Sequence, residues 1–413
     1  MSKLLVIGFT WPEPQRTAAG YRMMQLLNMF QEMGHEVVFC CAARLLERHE
    51  NYLAALKIKP RRISLTDDSL DQVLAGFNPQ LVMYDRYLIE EQYGWKVREY
   101  DHKIIQILDT EDLHCLRHAR EQELIHGVDI NVALTDTIAL REISSIMRCQ
   151  LTLIISRYEM KLLHDFYEVP SHLLLHVPFL CKKETIDDAS EKLVGFNDRR
   201  DYCAIGNFKH APNMDAVRQL KYYIWPAIRK LDPNVHLYIY GANPTAEAMA
   251  MHHPDDHFHI RAQTPDIHKV LSTHRVMLAP LRFGAGLKGK LYDALLNGLP
   301  TVMTPIAAES MYVENFMPGV VVDDLDQFAT AAVSLYRDGT RWNLYQQYSS
   351  FNLNTLYEDT AFAKSVQLKI NDLQRDPSSN AQTFIHEMLS YHGQEHFKFK
   401  GYWIRLKNGA KSS

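Results

Sequence analysis

The stretch LAPLRFGAGLKGKLYDALLNGLPTVMTPIAAE, residues 278–309, constrains the fold more than any other part of the chain. Arg275–Leu281 is a short apolar run suited to a buried parallel strand. Gly284, Gly286 and Gly289 follow. Lys290–Asn297 then has helical spacing, with Leu291, Leu295 and Leu296 on one face and Gly298 in the stop position. Thr301–Thr304 is the next strand. A glycine loop that opens a helix presents backbone N–H groups and the positive end of the helix dipole. Arg282, Lys288 and Lys290 add positive charge around it. A nucleotide diphosphate needs that combination.

The rest of the chain repeats the same strand–helix rhythm. Leu4–Phe9, Glu36–Cys41, Leu81–Tyr84, Ile104–Leu108 and Leu151–Ile155 are predicted strands, and Gly20–Met33 is an amphipathic helix ended by Gly34. Ser156 and Glu159 have the spacing of a capping box for a helix running to Tyr167. Lys182–Arg200 is polar and aperiodic and reads as a linker. Tyr202–Ile205, Val235–Tyr240 and Val320–Val322 are strands of a second series. Its helices are Asp215–Leu231, where Pro226 interrupts the pattern, and 326–336. Alternating strands and helices imply parallel sheets with right-handed crossovers. The expected division is an α/β domain over 1–182, a linker over 183–199, a second α/β domain over 200–375 and a tail over 376–413.

Composition narrows the function classes. The chain has 413 residues, enough for two ordinary domains. A net charge of −4 offers no general reason for nucleic-acid binding. Six scattered cysteines lack CxxC or zinc spacing and read as reduced thiols of a cytoplasmic protein. No apolar run approaches the ~18 residues of a spanning helix. The opening MSKLLVIGF reads as a strand, too short in its apolar run for a signal peptide.

The 278–309 segment resembles the carboxy-terminal signature of glycosyltransferase family four, sugar-nucleotide-dependent retaining enzymes of the GT-B fold. Gly284-Ala285-Gly286, Lys288, Lys290, Asp293, Ala294-Leu295, Gly298-Leu299-Pro300, Thr304 and Glu309 follow the family's order. Many members carry two glutamates separated by seven residues. Here the second is Asp293 and the residue eight earlier is Ala285, so the first glutamate's role is filled otherwise or lost. The resemblance implies two doubly wound Rossmann-like domains facing across a cleft, with nucleotide on the second and acceptor on the first. It also implies a last helix returning to the first domain, which 342–373 would supply. GAGLKG matches GxGxxG literally, but the following strand ends in Thr304-Pro305, without the acid a dinucleotide site wants there.

Other motifs place candidate residues in this frame. Residues 108–117, LDTEDLHCLR, follow a strand, and in the family a histidine there faces the donor sugar, which implicates His114. Read as structure alone, Asp109, Glu111 and Asp112 are helix-capping residues and His114 is core. Ala18-Ala19-Gly20 stands where the family has a small loop near the donor phosphate. Gly206 to Asp215 resembles the equivalent loop of the second domain, with Lys209 aimed at the diphosphate and Asn213 as a helix N-cap. Asp85, Arg86 and Asp112 are acceptor-side candidates. Asp324 and Asp326 resemble a metal motif but precede a helix, so capping explains them. Residues 396–411 mix Phe397, Phe399, Tyr402 and Trp403 with Lys398, Lys400, Arg405 and Lys407, a terminal hairpin or a surface for an anionic membrane.

The expected activity is transfer of a sugar, hexosyltransferase-like, with retention and without metal or cofactor; the nucleotide sugar is a co-substrate. His114, Lys290 and Glu309 are the expected catalytic residues. Gly20, Lys209, Arg282, Gly284, Ala285, Gly286, Leu287, Lys288 and Asp293 are expected to bind nucleotide sugar, Asp293 through the ribose. The acceptor is left open among glycan, lipid, protein and modified nucleic acid. The location expected is cytoplasmic, the inner face of a membrane included. A nucleotide-sugar 2-epimerase of the same fold would turn over donor alone. A non-catalytic sugar-nucleotide-binding subunit would bind without turnover.

Overall fold

The structure is a computed structural model that describes residues 2–261, 264, 266–375, 384–391, 399 and 403. Among the described residues, thirteen strands fall into two sheets. The first holds β1 (Lys3–Gly8), β2 (Glu36–Cys41), β3 (Lys59–Arg62), β4 (Leu81–Asp85), β5 (Ile105–Asp109), β6 (Leu151–Ile154) and β7 (Leu174–His176), in the order β3-β2-β1-β4-β5-β6-β7. The second holds β8 (Arg200–Ile205), β9 (Leu237–Tyr240), β10 (Phe258–Arg261), β11 (His274–Ala279), β12 (Thr301–Met303) and β13 (Gly319–Val321), in the order β10-β9-β8-β11-β12-β13. Every pairing is parallel. This is the GT-B architecture of two doubly wound, Rossmann-like domains.

The apolar runs explain why these strands are central. Along β1, Leu5 and Ile7 enter one core layer while Leu4 and Val6 enter the opposite one. Tyr202 and Ala204 of β8 likewise part from Cys203 and Ile205. Helices cover both faces, so no polar alternation is needed. β3 escapes the apolar pattern because it is an edge strand of sequence KPRR, where Pro60 and charges are tolerated. All six cysteines are buried free thiols. Among the described residues no helix is long and apolar enough to cross a membrane.

Three expectations need correction. The 183–199 stretch is not an unstructured linker: Lys183–Glu191 is a helix whose Ile186 is fully buried, and Arg199 is buried against the carbonyls of Val194, Leu271 and Asn297. The second domain does not run to 375. Trp342 belongs to its core, but Val366, Ile370 and Leu373 of the helix Asp359–Arg375 pack into the first domain's core. The chain returns beside its outward crossing, where Cys181 N–H donates to Tyr357 O at 2.7 Å and Asp359 N–H to Cys181 O at 3.1 Å. Pro226 does not break its helix. A wider π-helical turn, Leu220–Ile224, precedes it, and Pro226 falls in the first turn of the continuing helix Trp225–Leu231.

In the tail, residues 384–391 are helical and His386 Nδ1 lies 3.0 Å from Met147 O. Phe399 and Trp403 are exposed. Phe397, Tyr402, Lys398, Lys400, Arg405 and Lys407 lie outside the described residues.

Candidate functional site

The glycine loop leaves the carboxyl end of β11 and enters the helix Gly289–Leu296 at the face where open parallel sheets bind ligands. Gly284 (φ +144°) and Gly286 (φ +64°) hold conformations that side-chain-bearing residues rarely adopt. The first domain also comes very close: a Cβ on Gly286 would lie 2.8 Å from Asp112 Cβ, and one on Gly289 2.5 Å from Ala18 Cβ. Ala285 packs against the first domain's core and Leu287 is buried within the second's. Lys288 folds back so that Nζ donates to Gly286 O at 2.7 Å, and Lys290 Nζ donates to Asn213 Oδ1 at 2.7 Å. Burial pushes the Lys288 ammonium down to about 8 and that of Lys290 to about 7, with the Lys288 charge adding to the Lys290 shift. On the same helix, burial raises Asp293 to about 7.

The facing wall is built by the helix His114–His126, which follows β5. Its first amides are capped by distant buried carboxylates, not by its own Asp109 or Asp112. Leu113 N–H donates to Glu159 Oε1 at 2.9 Å, and the His114 and Cys115 amides donate to Glu142 at 3.1 and 2.8 Å. Burial raises Glu142 to about 7 and Glu159 to about 8. Asp112 instead pairs with Arg117, whose charge holds its carboxyl far below the ordinary range against the pull of desolvation. His114 lies edge-on to Tyr87, with ring centroids 5.4 Å apart, and its Nε2 is 3.6 Å from Asp112 Oδ1. Burial lowers its pKa to about 4, so the ring is neutral at neutral pH. Opposite it stands His210, from the loop after β8. The charges of Arg117, Asp112, Lys290 and Arg86 all act on it, which places groups of both domains around one space.

Glu159 is where the sequence reading needs most revision. Ser156 Oγ accepts the Glu159 amide at 3.5 Å, but the Glu159 carboxyl does not close a capping box. Its Oε1 accepts both Leu113 N–H and, at 2.8 Å, Gly286 N–H from the other domain. One loop amide expected to face phosphate is therefore already engaged across the interface. A second link is Arg120, which donates to Gly284 O at 2.7 Å and to both oxygens of Glu309 at 3.0 and 2.6 Å. Glu309 thus lies at the cleft, tied to the first domain. Tyr158 N–H donates to Ser310 Oγ at 3.0 Å beside it. Nothing in local sequence marks Arg120, Glu142 or His210; their partners are far away in the chain.

The other candidates are held by partners of their own. Gly20 sits inside its own loop, since a Cβ there would lie 2.5–2.7 Å from Glu13 backbone; Ala18 is the small residue that meets the second domain. Asn213 does not cap its helix, which starts at Ala211 after His210; its amide group bonds Asn207 O and Lys290. Arg282 is held by Asp215 at 2.9 and 2.5 Å, and Lys209 is exposed. Asp85 and Arg86 close β4, with Asp85 Oδ2 accepting Phe9 N–H at 2.9 Å. Asp324 caps the helix Leu325–Arg337 through Asp326 N–H at 2.9 Å.

Fold and cleft together define a GT-B protein with a basic glycine loop on its second domain. The family model described as Glycosyl transferases group 1 matches residues 199–338, which is most of that domain. Among solved structures, sucrose-phosphate synthase from Thermosynechococcus elongatus is similar at TM-score 0.66 and 12% identity, over 92% of this chain and 100% of that one. A glycosyltransferase from Rickettsia africae matches at TM-score 0.65 and 8% identity, over 91% and 99%. Anabaena Alr3699/HepE in complex with UDP and glucose matches at TM-score 0.63 and 10% identity, over 90% and 100%. No curated protein sequence matches the chain.

Proposed function

We propose that this protein is a glycosyltransferase that moves a sugar from a nucleotide-sugar donor to an acceptor hydroxyl, with retention and without a metal ion. The observation that carries this reading is the glycine loop: two positive-φ glycines open a helix at the carboxyl end of β11, with Lys288 buried and Lys290 half-buried beside them and the first domain in contact. The resemblance to family four and the group 1 model over 199–338 support the reaction class and, by family habit, retention.

The chemistry follows from the placement. The acceptor oxygen bonds to the anomeric carbon on the face from which the diphosphate oxygen departs, and the acceptor's hydroxyl proton passes to that departing oxygen. Charge then grows on the diphosphate. Lysines with depressed pKa values gain protons when the anionic diphosphate binds, and they stand preorganised beside it. Asp293, midway along the same helix, is assigned to the ribose. A neutral His114 can accept a sugar hydroxyl or its proton. Glu309 orients Arg120, and both bear on Gly284 of the loop. The two lysines take the charge-compensating part that a metal plays elsewhere, and Asp324 is committed to capping. A cytoplasmic location belongs to the same proposal.

A thermal-shift screen against nucleoside diphosphates and nucleotide sugars tests this directly. A ligand at a hundred times its Kd stabilises the fold by about 2.7 kcal/mol. A bound donor is then incubated alone and with acceptors. No shift with any member of the panel would sink the proposal. Turnover of donor with no acceptor present would favour epimerisation, and binding without any turnover a non-catalytic subunit.

A further inference from the structure

The first turn of the helix Arg157–Asp165 grips the second domain at consecutive residues. Tyr158 N–H donates to Ser310 Oγ at 3.0 Å. The Tyr158 ring centroid lies 4.9 Å from the Arg120 guanidinium, which itself holds Gly284 O and both oxygens of Glu309. Glu159 Oε1 accepts Leu113 N–H from its own domain and Gly286 N–H from the other, at 2.9 and 2.8 Å. The packing around these bonds is tight. Asp112 meets the loop at Gly286 and Ala18 meets it at Gly289, so closely that a Cβ on either glycine would collide. Two groups expected to serve the donor, the Gly286 amide and the Glu309 carboxylate, are therefore engaged in joining the domains. A scaffold contact would draw on groups that the donor does not need. The Glu159 contact is also incomplete. The side chain is fully buried, yet its Oε2 has no hydrogen-bond partner among the described residues. Buried polar atoms normally find partners, so this carboxyl is held unfavourably and its contact is poised to break.

We propose that Glu159 is an autoinhibitory latch: its carboxyl holds the glycine loop shut against the first domain, and the donor binds by taking the Gly286 amide from it. This rests on the glycosyltransferase reading and adds regulation to the same site. The competition favours the donor once it arrives. A diphosphate offers the loop several charged oxygens, whereas Glu159 offers one oxygen shared between two amides. Parting the domains frees Gly286 and Glu309 together, because both bond to the first domain. Only chains with the latch open can bind, so the apparent affinity is the intrinsic affinity reduced by the open fraction.

Calorimetric titration with UDP and small-angle scattering on the full chain decide it, with circular dichroism as the check on folding. Glu159→Ala removes the acceptor oxygen and should bind UDP about tenfold more tightly than wild type, the gain expected if about a tenth of wild-type chains are open. Its radius of gyration without ligand should exceed that of wild type. Glu159→Gln keeps an oxygen that can accept both amides and should stay within about threefold of wild-type affinity. A merely structural Glu159 predicts equal or weaker UDP binding in the folded Glu159→Ala chain, and that result overturns the latch. Should Glu159→Ala fail to fold, Ser310→Ala removes the neighbouring tie and should tighten UDP binding by about threefold. Unchanged or weaker binding in that variant overturns the proposal equally. If no form binds UDP, the nucleotide-sugar reading fails instead, and scattering alone judges the latch: expansion of Glu159→Ala keeps it, and unchanged dimensions remove it.

Discussion

At the scale of residues, the site is made of groups whose charge states burial has moved. Lys290→Ala should cost turnover on the order of a hundredfold, because charge compensation is lost where the leaving group develops charge. Wild-type rates in that variant would remove Lys290 from the mechanism. The pH dependence has a definite sign. Only protonated lysines attract the diphosphate, and in the free protein Lys288 and Lys290 lose their protons at about 8 and about 7. Bound diphosphate raises both values, so affinity is greatest below the free-state values and falls as pH climbs through them. Asp293, at about 7, has finished ionising before pH 8 to 9.5, so it does not mask that fall. Calorimetric UDP affinity should therefore decline over that window, and a flat or rising profile counts against the lysine assignment. His114→Ala should depress transfer strongly, leaving UDP affinity and melting temperature nearly unchanged. His114→Asn should retain part of the rate if the ring only hydrogen-bonds. A packed-core role predicts lowered stability, with activity tracking the folded fraction.

At the scale of elements, two links join the glycine loop to the helix His114–His126. Glu159 bridges the Leu113 and Gly286 amides, and Arg120 bridges Glu309 and Gly284 O. Removing one partner of a mostly buried ion pair leaves the other charge stranded. Arg120→Ala should therefore destabilise by about 3 kcal/mol, with an increase in radius of gyration as the domains part. A double-mutant cycle with Glu309→Ala should show coupling above about 1 kcal/mol, and additive effects would mean the pair holds nothing together. The strand–loop–helix order of this region was legible from glycine placement and apolar spacing. The Glu159 bridge was not: Ser156 and Glu159 fit a capping box, and that local explanation concealed a partner 127 residues away.

At the scale of the molecule, the returning helix Asp359–Arg375 makes the first domain depend on the far end of the chain. The cleft closes on lysines, and the aspartates that superficially offered a metal site serve a helix terminus. Transfer should accordingly persist in excess EDTA. A complete loss on chelation, restored by Mg²⁺ or Mn²⁺, would make Asp324 and Asp326 ligands after all.

The sequence by itself determined the architecture. Continuous apolar strands, helices of regular period and glycines where the chain must turn tightly are local consequences of backbone and burial, and they dictate two parallel sheets. The same local logic singled out the loop 284–290 and its lysines. Tertiary structure alone decided which groups meet across the cleft: Arg120 with Glu309, Glu159 with Gly286, and His210 opposite Asp112. It also decided that Gly20 is packed in its own loop and that Asn213 holds Lys290, whereas the crossing of the last helix to the first domain was already implied by the family resemblance. The physical reason is range. Propensity and periodicity act over a few residues, whereas charge pairing and desolvation depend on distances in space that only the closed chain establishes.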